Sequence, residues 1–208
     1  MNLCESSFWW SAGRGASRAL AGLAVALAGL CVARSASASG FTGCLLVGPG
    51  YMSTSSANDY GDSSGPAVLA QLDAGVKVSP TLVLHSTLLY DFSEWLQFSA
   101  GGDRYSGSMF GFGLGGTLSF GGFSVGASGG GQFTFFPQAD DPASGPNGAS
   151  LGWFLSANAG YDWAVSEAAR VGVHLLARYR SSKDETNSIV YDPSGYQLGV
   201  AVSVGLGG

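Results

Sequence analysis

The chain has 208 residues, of which 46% are hydrophobic, 11% are charged and 34 are glycine, with a formal net charge of −5. The apolar share excludes a disordered chain, and the glycine argues against a helical one, since each interior glycine costs a helix roughly 1 kcal/mol relative to alanine. No basic cluster is present, so nucleic acid is not an expected partner.

The first predicted element is a targeting segment. Arg14 and Arg18 precede the apolar run Ala19 to Val32, which is followed by Ala36-Ser37-Ala38. A positive start, a short apolar stretch and a small-x-small site describe a secretory signal peptide, and the run is too short to cross a bilayer as a helix. Residues 1–38 are therefore expected to be a leader and residues 39–208 one mature domain. Cys4 and Cys31 fall in the leader, leaving Cys44 alone, so neither an internal disulfide nor a metal site of paired cysteines is expected.

After residue 38 the signal is alternation with period two, element after element. A first strand, roughly Phe41 to Met52, turns Phe41, Leu45, Val47 and Tyr51 to one face. In Ala67 to Val78 the even positions (Val68, Leu72, Val76) are apolar, whereas Gln71, Asp73 and Lys77 share the other face. Thr81 to Phe92 sets Leu82, Leu84, Leu88, Tyr90 and Phe92 against His85, Thr87 and Asp91. The stretch SMFGFGLGGTLSFGGFSVGASGGGQFTFF splits into two strands around Gly121-Gly122, with Phe110, Phe112, Leu114, Phe120, Phe123, Val125, Phe133 and Phe135 opposed to glycine, serine and threonine. Leu151, Trp153, Leu155, Tyr161, Trp163 and Val165 then oppose Ser156, Asn158 and Asp162. Val171, Val173, Leu175 and Tyr179 oppose His174, Arg178 and Arg180, and Tyr196 to Leu206 closes the series, for eight strands in all.

Residues paired across a hairpin share a face. The short connections set Val78 opposite Leu82, Phe120 opposite Phe123 and Val165 opposite Val171, each apolar with apolar. Long polar connections lie between them, near 53–66, 93–106, 137–150 and 181–194, and hold most of the acids, among them Asp59, Asp62, Glu94, Asp103, Asp140, Asp141, Asp184, Glu185 and Asp192.

An eight-stranded barrel has an interior just wide enough for side chains, too narrow for an apolar face with aromatics on most strands. That face is therefore expected outward. A soluble exterior would carry far more lysine and glutamate. Short turns alternating with long loops, an even strand count and aromatics near strand ends describe a transmembrane barrel, whose closure satisfies every backbone group in lipid. Phe120, Phe123 and Trp163 would form one aromatic girdle. Tyr51, Tyr90, Phe92, Phe110, Phe133, Phe135, Trp153, Tyr179 and Tyr196 would lie toward the other.

On the leader ending Ala36-Ser37-Ala38, the hairpin Ala74 to Phe92, the glycine-aromatic strands and the closing strand Gly195 to Gly207, the chain resembles the small eight-stranded outer-membrane barrels of Gram-negative bacteria, those like outer-membrane proteins A, X and W. The resemblance implies an all-β, antiparallel up-and-down barrel in the outer membrane, with short turns in the periplasm and acidic loops outside the cell. It implies contact with outer-membrane lipid and lipopolysaccharide, insertion by the barrel-assembly machinery, no cofactor and a monomer. Such barrels commonly end on an aromatic residue, whereas this chain ends Gly205-Leu206-Gly207-Gly208.

Extending the Val165–Val171 register places Asp162 opposite His174, Asn158 opposite Arg178 and Ser156 opposite Arg180. Strand n of an eight-stranded barrel lies across from strand n+4, so Asp73 and Lys77 face the sixth strand and His85 the seventh. The expected lumen network is Asp73, Lys77, His85, Asn158, Asp162, His174, Arg178 and Arg180, bridging one diameter while the other is thinly filled. Asp162 with His174 has the chemistry of an acid–base dyad, and equally that of an ion pair sparing buried charges from isolation. Acidic pairs such as Asp140-Asp141 and Asp184-Glu185 suit solvated loops better than a calcium site. The reading is a non-enzymatic barrel, structural and surface-exposed or a narrow pore for small solutes. The alternative is a barrel enzyme acting on lipid A or peptides.

Overall fold

The computed structural model describes residues 40–56, 62–98, 104–136, 148–183 and 193–207. The leader 1–38 and the loop acids Asp59, Asp103, Asp140, Asp141, Asp184, Glu185 and Asp192 lie outside the described residues. Eight strands follow in order: β1 (Phe41–Ser56), β2 (Ser63–Lys77), β3 (Leu82–Phe98), β4 (Arg104–Phe120), β5 (Phe123–Phe136), β6 (Gly148–Ala164), β7 (Ala169–Lys183) and β8 (Pro193–Leu206). Each pairs antiparallel with its chain neighbours, and β8 returns to β1 from Gly43↔Leu206 to Ser56↔Pro193, closing the barrel. With no free edge, most backbone groups of the described wall pair with a neighbouring strand, with irregularities between Ser64 and Val68 and between Ser93 and Leu96.

Alternation positions the two faces. Phe110, Phe112, Leu114, Trp153, Leu155, Trp163, Tyr179, Tyr196 and Val202 are exposed on the outer wall, while the residues between them are buried. Of the aromatics expected in the two girdles, Phe120, Phe123 and Trp163 at the short-turn end and Tyr51, Tyr90, Phe110, Phe133, Phe135, Trp153, Tyr179 and Tyr196 farther along the strands are exposed, whereas Phe92 is half-buried. The Trp153 and Tyr179 rings lie 5.4 Å apart, and those of Tyr161 and Trp163 5.2 Å apart.

The β4–β5 turn shows why glycine is needed there. Gly121 and Gly122 both take positive φ, 58° and 96°, the backbone of the two-residue hairpin turn that matches strand twist. Phe120 pairs with Phe123 across it, and Phe112 pairs with the bare backbone of Gly131.

Two expectations are corrected. The strands run farther than their apolar residues do: β1 continues to Ser56, β3 to Phe98 and β7 to Lys183. Polar residues such as Ser53 to Ser56 of β1 keep the hydrogen-bond ladder without needing lipid, so the connections are shorter than the polar segments. The β6–β7 register also differs by two residues. Trp163, not Val165, pairs with Val171, because the turn closes early: the Val165 and Ser166 amides both donate to the Ala169 carbonyl, at 3.0 and 3.2 Å. A two-residue slip keeps every side chain on its face, so alternation cannot detect it.

Candidate functional site

The lumen is built in two storeys. At the short-turn end, where β1 begins and β8 ends, a cavity of about 140 Å³ is lined by Asp73, His85, Asp162 and His174, with Lys77 and Arg170 among its walls. The predicted register would set Asp162 directly opposite His174. Instead Asp162 faces Gly172 and His174 faces Gly160. The side chains still meet, on the diagonal, with His174 Nε2 3.0 Å from Asp162 Oδ1. The two glycines make this possible. A Cβ on Gly172 would stand 2.3 Å from Asp162 Oδ1, and one on Gly160 2.4 Å from the His174 ring. Ser203 donates to Asp162 Oδ1 at 2.6 Å and Ser124 to Oδ2 at 3.1 Å.

A second imidazole–carboxylate pair stands across the cavity. His85 Nδ1 lies 3.4 Å from Asp73 Oδ1, with Thr87 between them, donating to the same oxygen at 2.7 Å. Thr117 Oγ1 stands 3.1 Å from the other His85 nitrogen. Gln71 then links this group upward. Its amide donates to Asp73 Oδ2 at 2.8 Å, and its carbonyl accepts from Ser156 at 3.1 Å and from Arg178 at 3.3 Å.

Arg178 forms the upper storey. Placed opposite Ser156 and not Asn158, it reaches across from β7 to β3 and pairs with Asp91, both side chains being almost wholly buried. Asp91 has the polar parity in the sequence but stands outside the expected network, because alternation gives a residue's face and not its height. Arg180 lies opposite Phe154 and not Ser156, with its guanidinium against the sulfurs of Met52 and Met109. Asn158 is buried over Gly126. Lys77 is exposed at the cavity's mouth, so it takes no part in the buried network.

The expectation of a thinly filled diameter is also corrected. Leu46, Leu69 and Leu176 are buried in one apolar cluster, and Leu89, Met109 and Phe154 in another. These large residues use the inward glycines as seats. A Cβ on Gly113 would come 2.8 Å from Phe154 Cζ, and a Cβ on Gly50 or Gly199 would come 2.6 or 2.7 Å from Leu69 Cδ1. Their inward parity is legible in the sequence, where they stand out less than the outward aromatics.

Among the described residues, the protein groups around the Asp162–His174 pair gather on the carboxylate. Both serines at the pair donate to the carboxylate, none of the hydrogen bonds described brings a hydroxyl to His174, and His174 Nδ1 is buried without a partner among the described residues. A base must be within hydrogen-bond reach of the proton it takes. Among the described residues no group of three or more His, Cys, Asp or Glu could hold a metal ion.

No family model and no curated protein matches the chain. Among solved structures, Neisserial surface protein A is similar at 13% identity and a TM-score of 0.53, over 81% of this chain and 97% of that one. OprG, an outer membrane protein of Pseudomonas aeruginosa, is similar at 8% identity and 0.45, over 80% and 96%. The outer membrane protease OmpT of Escherichia coli is similar at 11% and 0.38, over 81% and 96%. At such identities the likeness is one of fold, and the fold is that of the small eight-stranded outer-membrane barrels.

Proposed function

We propose that the protein is a non-enzymatic outer-membrane barrel with a shut lumen, acting as a structural wall that holds its surface segments outside the cell. The observation that carries this reading is the filling of the lumen. Phe154, Leu46, Leu69, Leu89 and Met109 are almost wholly buried inside the wall, and the Arg178–Asp91 pair spans the barrel beside them. A small solute would have to displace both close-packed side chains and a buried ion pair. The outward apolar band supports contact with outer-membrane lipid and lipopolysaccharide.

Solute release from liposomes tests the closed lumen. Proteoliposomes holding the refolded barrel are expected to release a loaded small sugar no faster than protein-free liposomes. Release that rises with the amount of barrel inserted would overturn the reading in favour of a pore.

A further inference from the structure

The cavity at the short-turn end carries charged groups that the proposed function leaves unused. Leu46, a member of the buried apolar cluster, is among its lining residues. Its lining carries two carboxylates, each beside a histidine, and two exposed cations, Lys77 and Arg170. Inside stand Asp73 and Asp162, the latter with 16% of its side chain exposed. Asp162 Oδ2 accepts only from Ser124 among the described residues, and a carboxylate oxygen has room for a second donor. Lys77 and Arg170 stand exposed and are in no ion pair among the described residues. Glu167, exposed in the neighbouring turn, pairs with neither.

We propose that this vestibule binds a small zwitterion, its ammonium directed inward to Asp162 and its anionic group held at the mouth by Lys77 and Arg170. A simple anion meets the mouth favourably and the two carboxylates unfavourably, and a simple amine meets the reverse. A molecule carrying both charges satisfies both sets of groups. At about 140 Å³ the cavity has room for on the order of ten water-sized positions, which suits an amino acid or a phosphoethanolamine group. The latter chemistry is available from a free solute or from a phospholipid headgroup at the membrane face. The proposal stands apart from the closed-lumen reading, since it concerns the mouth alone.

The chain's two histidines, His85 and His174, both line this cavity, so imidazole NMR lines of the untagged full barrel report on it directly. In nonionic detergent, β-alanine and O-phosphoethanolamine are expected to shift these lines saturably, and ethylamine or propionate alone far less. Lys77→Gln and Arg170→Gln, both at exposed positions, are each expected to weaken the zwitterions roughly two- to fivefold while leaving ethylamine unchanged. Ser124→Ala keeps the wall and is expected to alter the response at Asp162. A response seen only in bilayers containing phosphatidylethanolamine assigns the headgroup as the source, and a response in detergent assigns the free solute; both support the site. Absence of saturable shifts in either setting, or half-molecules matching the zwitterions, would overturn it.

Discussion

Replacing Asp91 with alanine is expected to destabilise the folded barrel by about 3–5 kcal/mol, the cost of leaving a buried charge without its partner. Asp91 and Arg178 are almost wholly buried, and Asp91 is the counterion closest to the guanidinium. Among the described residues, the other hydrogen bonds of Arg178 go to the Ala70 carbonyl and Gln71 Oε1, each at 3.3 Å, and neither neutralises its charge. The double variant Asp91→Leu with Arg178→Met is expected to recover most of that loss, because a buried pair and an apolar pair of similar volume are often equivalent. Denaturant unfolding in micelles measures both, followed by the faster gel migration of the unheated folded barrel. An Asp91→Ala barrel as stable as the wild type would show that the pair does not carry the lumen.

Phe154→Ala is the second large effect, at about 3–5 kcal/mol for removing a buried ring that its surroundings cannot replace. The ring lies against Gly111 and Gly113 of β4, two strands away, and in one cluster with Leu89 and Met109. A glycine strand has no side chain to swing into the space, so the site collapses poorly. Phe154→Leu keeps most of the volume and is expected to cost clearly less. The converse change, Gly113→Ala, is also expected to destabilise, because its Cβ would fall 2.3 Å from the Gly129 carbonyl as well as against the ring. Loss of a few tenths of a kcal/mol in Phe154→Ala would mean that the ring does not seal this side of the lumen.

The strands and their two faces were legible because period two assigns each side chain to a wall, and the glycine-aromatic stretch of β4 and β5 is a clear case. Height along the barrel was not legible. Sliding β7 by two residues past β6 preserves every face, so Asp162 and His174 were expected as direct partners and instead meet on the diagonal across two glycines. The same blindness hid the partner of Arg178, since Asp91, Thr87 and His85 share one face of β3 and only the stagger of the closed sheet selects Asp91. The inward packing of Phe154 and Leu69 is illegible in the sequence for a different reason. Their packing comes from glycines on neighbouring strands, which no local pattern joins.

The closure of the lumen is the claim on which the proposed function turns, and single-channel recording in planar bilayers tests it most directly. Refolded wild-type barrel, verified by its heat-modifiable migration, is expected to insert without producing discrete current steps across the working voltage range. Reproducible steps of one unitary size, scaling with salt concentration, would contradict a lumen sealed by Phe154, Leu69 and the Arg178–Asp91 pair.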